Sequence, residues 1–138
     1  MDERLYSRPL DVHRISDYPE VQRMITYLFD EMKSSGLIGK SPRKKILKHL
    51  QVVVLDLYVA YLHDPLVYLG YSRRRDDYSG ASRLGQLYLG YRPMIRVVDG
   101  LLDLGYLEHH KGFQDQASGR SFLSRMRATP KLIDLIEN

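Results

Sequence analysis

Cysteine and tryptophan are absent from this chain of 138 residues. Without cysteine there is no disulfide and no thiolate metal site, which fits a reducing compartment. Long apolar runs are missing as well. The most apolar stretch, 52–62, is interrupted by Asp56 and is read as too short to span a bilayer, which takes about 20 residues. The N-terminus, Met1-Asp2-Glu3-Arg4, has no apolar core, so no secretory signal is expected. Nor does one sign of charge dominate: 21 Lys and Arg face 17 Asp and Glu, for a net +4. Together these absences point to a cytoplasmic protein without a membrane partner. The length suits one domain.

The small positive charge is uneven. Residues 1–70 carry +1 and residues 71–138 carry +3. That leans toward an anionic partner, with nucleic acid first in line.

Residues 1–16 read as an N-terminal arm with little periodicity, and 17–138 as a single domain. Val21, Met24, Ile25, Leu28, Phe29 and Met32 recur at helical spacing, which predicts a helix over 18–35 that stops at Gly36. Ser41-Pro42 is a cap followed by a first-turn proline. The helix it opens, 41–63, is apolar on several sides, the mark of a core or oligomer-interface helix. A short β-prone run, 66–71, precedes the arginine-rich loop Arg73-Arg74-Arg75. A short helix is expected over 81–89 and a longer one over 91–104, ending at Gly105. In the longer helix Met94, Ile95, Val98, Leu101, Leu102 and Gly105 are read as inward. Arg92, Arg96, Asp99 and Asp103 form one polar stripe. Strands are expected over 106–111 and 122–128 around a polar loop, 112–121, whose tip is 113–120. A last helix, 130–138, opens at Thr129-Pro130.

Helix, strand, helix, tight turn, helix, strand, polar loop and strand, in that order, make a winged helix-turn-helix. The fold class is therefore mostly α with a small β-hairpin, α+β. The helix-turn-helix lies at about 80–104 and the wing at 106–128.

Chemistry-bearing motifs are few. His109 and His110 are adjacent on a strand and point to opposite faces, so they cannot share a metal ion. The segment Ala117-Ser118-Gly119-Arg120 lacks the spacing of a phosphate loop, and no nucleophile elbow is present. No enzyme activity, metal or cofactor is expected. Basic residues are the remaining signal. In the helix-turn-helix mode the N-terminal end of the second helix meets base edges. That assigns Tyr91, Arg92 and Arg96 to the major groove, where an arginine fork matches guanine. Lys111, Arg120, Arg125 and Arg127 give the wing four cations for backbone or minor groove. Arg73, Arg74 and Arg75 are candidate phosphate contacts, although Asp76-Asp77 follow directly.

The stretch "GYRPMIRVVDGLLDLGYLEHHKGFQDQASGRSFLSRMRATPKL", 90–132, resembles the recognition helix and wing of MarR-like winged-helix proteins. The resemblance rests on the arginine-bearing helix, the "LLDLGYLEHH" junction, Asp115 and Arg120 at the wing tip, and the strand entering "ATPKL". The glycine-interrupted "ASRLGQLYL" and the missing long C-terminal helices depart from that family. The resemblance implies a sequence-specific double-stranded DNA-binding protein that regulates transcription and is associated with the nucleoid. A homodimer would set two recognition helices about 34 Å apart on a palindromic site. Two other roles fit the same pattern: a replication initiator or DNA-binding module of a longer protein, and a protein-interaction module.

Overall fold

The computed structural model describes residues 19–37, 43–75, 89–115, 120–122 and 124–138. The expected arm, the Ser41-Pro42 cap, most of the 81–89 helix and the hairpin tip at 116–119 lie outside the described residues.

Helix α1 (Pro19–Ser34) follows its apolar spacing and buries Met24, Ile25, Leu28, Phe29 and Met32. Gly36, at φ 73°, ends it. Helix α2 (Arg43–His63) is the core helix. Ile46, Leu50, Val53, Val54 and Leu57 are at most 1% exposed. The sequence reading underestimated α2 as an apolar span. Lys44–His63 is long and apolar enough to cross a membrane by length and composition, but 61% of its most apolar window is buried inside this fold. That burial is what a core helix requires.

Strand β1 (Leu69–Tyr71), helix α3 (Tyr91–Asp103) and strand β2 (Leu107–His110) follow. Then come β3 (Phe113–Asp115), β4 (Arg120–Phe122), β5 (Ser124–Ala128) and helix α4 (Pro130–Glu137). Among the described residues the chain is mostly helical, with a three-stranded antiparallel sheet ordered β1-β5-β2. Central β5 aligns Met126 with Leu69 on one side and His109 on the other. A separate antiparallel pair, β3–β4, sets Asp115 opposite Arg120. The expected loop at 112–121 thus contains two short strands, because residues paired across a hairpin continue the ladder until the turn.

Alternation along β5 is as the sequence predicts: Ser124, Met126 and Ala128 are buried, and Arg125 and Arg127 take the other face. The inner face of β5 packs on α2, while β2 packs on α3. In α3 the buried side is Met94, Val97, Val98, Gly100 and Leu101. This corrects two inward assignments. Leu102 is 37% exposed, and Gly105 is exposed beyond the helix end. Leu102 lies about 100° around the helix from Leu101, and Gly100 presents its bare backbone to Met32 instead.

Gly105 has φ 81° and closes α3 with two bonds. Its N–H donates to Leu102 O at 3.0 Å, and Tyr106 N–H donates to Leu101 O at 2.8 Å. This is the double-bonded C-terminal cap that favours glycine. Gly105→Ala is expected to cost about 1 kcal/mol, since an L side chain is strained at positive φ. A thermal melt of the variant checks it.

Candidate nucleic-acid interface

The N-terminus of α3 is held from two directions. Gly90 is its N-cap, with extended backbone and no side-chain cap of its own. Its carbonyl accepts Met94 N–H at 3.1 Å, and its own N–H donates to His49 Nε2 of α2 at 2.9 Å. Tyr91 is half-buried, and its hydroxyl donates to the Arg73 carbonyl. Arg92 and Arg96 follow one turn apart, both exposed.

Arg73 is placed differently from Arg74 and Arg75. Its guanidinium pairs with Asp99 of α3 at 2.9 Å and donates to Tyr71 Oη at 2.9 Å. Tyr71 Oη lies 2.6 Å from His109 Nε2. Because Tyr71 oxygen accepts from Arg73, its own proton is left for His109. The resulting chain Asp99–Arg73–Tyr71–His109 joins α3, β1 and β2 on the inner side of the sheet. Asp99 thereby pairs across the fold with Arg73, 26 residues before it. Of the three candidate phosphate contacts Arg73, Arg74 and Arg75, Arg73 is tied within the fold to Asp99 and Tyr71. Arg74 and Arg75 are exposed, and Ser72 Oγ braces the Arg74 backbone at 3.1 Å.

The wing cations divide as well. Arg127 Nη2 contacts Glu108 Oε2 at 2.7 Å, Nη1 donates to Leu66 O at 3.1 Å, and the guanidinium lies 4.3 Å from the centre of the Tyr68 ring. It is a strut across the outer sheet face. Arg125 and Lys111 are exposed. Arg120 occupies the register position opposite Asp115. The adjacent histidines do diverge: His109 turns inward to Tyr71, and His110 lies outward, 3.2 Å from Tyr68 Oη.

Sequence reading missed His49, Asp99, Tyr68 and Tyr71 as participants. Only the i,i+4 spacing of Lys45 and His49 hinted at the first, since the remaining partners come from distant segments. Among the described residues, no three histidine, aspartate or glutamate side chains gather to hold a metal ion.

Burial pushes His49 below its ordinary 6.5, with Lys48 and Lys45 adding to the effect against hydrogen bonds that oppose it. Burial also lowers His109, and the Arg73 cation lowers it further. Both groups bind protons less readily folded than unfolded. Their contribution to stability is therefore complete above about 6.5 and is lost as pH falls through that value toward the folded pKa. The unfolding midpoint in urea is expected to drop between pH 7.5 and pH 5.5. An unchanged midpoint would contradict the neutral state of both rings.

Compared with family models, with curated proteins and with solved structures, the chain shows no match to any. Its fold and its basic residues are therefore the ground for a functional reading.

Proposed function

We propose that this chain is a winged helix-turn-helix protein that binds double-stranded DNA sequence-specifically, as a transcriptional regulator. The strand order β1-β5-β2 supports the winged-helix assignment, because β1 precedes α3 and joins the returning strand β5. The observation that carries the DNA reading is the pair Arg92 and Arg96. They are exposed on the first two turns of a helix whose N-terminus is anchored by α2 and by the Arg73 loop. Arginines there suit guanine edges in the major groove. Lys111 and Arg125 are the exposed wing cations for backbone contact, joined by Arg74 and Arg75. Arg73 and Arg127 hold the scaffold that presents them.

Titration of labelled duplexes at two salt concentrations tests this. Affinity should fall steeply as salt rises, because neutralised phosphates release counterions. Absent or salt-independent binding would sink the proposal. Selection from a random duplex pool then distinguishes specific from general binding.

The reading extends to a homodimer. A groove of about 680 Å³ between α1, α2 and α4 has an apolar floor that includes Met24, Leu55 and Val59. Tyr27 and Leu62, 52% and 46% exposed, line it. Its α1 wall carries Arg23 and its α4 wall carries Glu137. A two-fold copy sets each charge against its opposite. Sedimentation is expected to give a two-chain mass that Leu62→Glu reduces to one. A one-chain mass for the unaltered protein removes this part of the proposal.

A further inference from the structure

We propose that His49 is a positioning residue for the DNA-reading helix, and that protonation of its ring in acid weakens DNA binding. The inference rests on the proposed function for its second half only.

Geometry determines the proton position. His49 is 4% exposed on α2. Nδ1 lies 2.7 Å from Lys45 O, a group that only accepts. Nε2 lies 2.9 Å from Gly90 N, a group that only donates. The proton therefore sits on Nδ1, and the lone pair of Nε2 takes the Gly90 amide. That amide belongs to the N-cap of α3, which has no side-chain cap. One imidazole lone pair on the core helix thus holds the N-cap of α3, beside the Tyr91 hydroxyl that ties its first turn to the Arg73 carbonyl. Arg92 stands two residues beyond the cap and Arg96 one turn further. A base-reading side chain must be held to a fraction of an ångström, so a shift of the first turn removes its fit.

A second proton on the ring turns the acceptor into a donor facing another donor. The charged groups acting on the ring are Lys48 and Lys45 of its own helix, both cations. From the α3 side it meets the Gly90 amide, with the Pro93 ring bordering the same space. Among the described residues, no charged group of α1, α3 or β5 acts on it. Nothing there compensates an imidazolium, and burial disfavours it further. Protonation therefore releases the N-cap.

The expected direction opposes simple electrostatics. Acid adds positive charge to histidines, which by itself strengthens DNA binding. The structure instead assigns a loss.

Two readouts separate the parts. The first needs no DNA: amide exchange at Gly90, followed by NMR at pH 7.5 and 5.5. In the unaltered protein the protection factor should fall severalfold, with a ceiling of about tenfold set by the ordinary histidine pKa of 6.5 in the opened state. His49→Gln, whose amide oxygen accepts the same bond at both pH values, should show no such fall. Undiminished protection in the unaltered protein overturns the inference. Should His49→Gln not fold, the ring nitrogen shifts of the unaltered protein decide at neutral pH: a proton on Nε2 overturns it. The second readout is duplex affinity at fixed salt. It should weaken, by about tenfold at most, from pH 7.5 to 5.5 and stay flat in His49→Gln. Equal or tighter binding at pH 5.5 overturns the DNA half. If no duplex binds at any pH, the DNA reading fails while the Gly90 exchange still decides the role of His49.

Discussion

Leu101→Ala is expected to lower the unfolding free energy by about 2–5 kcal/mol, whereas Leu102→Ala is expected to lower it by less than about 1 kcal/mol. The two leucines are neighbours of the same type on the same helix, so intrinsic propensity cancels from the comparison. Leu101 is fully buried and Leu102 is 37% exposed. Truncating Leu101 removes buried carbons and leaves a cavity that α2, α3 and the sheet close only in part. Its carbonyl also receives the Tyr106 N–H that ends α3, so the cavity opens beside the helix-to-strand junction. Denaturant unfolding of both variants measures the difference. Equal losses would mean that α3 is rotated relative to the packing described above.

Arg92→Ala is expected to cost about 1–3 kcal/mol of DNA binding at one base position and to relax specificity there, while Arg125→Ala weakens all sequences alike. The contrast follows from placement. Arg92 is on the first turn of the proposed reading helix, and its bidentate fork discriminates among bases. Arg125 is on the outer face of β5, and its proposed contact is to phosphates, which carry no sequence information. Arg125→Ala should also reduce the slope of log affinity against log salt by about 1. Arg127→Ala belongs to neither class. Its guanidinium is engaged by Glu108, Leu66 O and Tyr68, so its loss acts on the sheet first. Affinities from competition against single-base variants of the selected site test all three. A uniform loss from Arg92→Ala would reassign that residue to the backbone.

Periodicity made the helices legible. The 18–35, 41–63 and 91–104 expectations fall within two residues of α1, α2 and α3. Strand alternation made the two faces of β5 and the divergence of the adjacent histidines legible. The β3–β4 pair was not, because Gly112, Asp115, Ser118 and Gly119 read as turn residues, and cross-strand pairing leaves little local signal. The basic residues could be found by type alone. Their division into exposed contacts and internal struts could not.

The sequence by itself determined where helices begin and end, which side of β5 is basic, and the absence of any thiol chemistry. Those properties depend on residues a few positions apart, whose side chains share a face by backbone geometry. Only the tertiary structure decided that Arg73 binds Asp99, 26 residues on, and that His49 holds the helix N-cap Gly90, 41 residues later. Hydrogen bonds and ion pairs between distant segments depend on how elements pack. No local pattern encodes that distance, so arginines alike in sequence, such as Arg73 and Arg75, became an intramolecular tie and an exposed side chain only once the chain was folded.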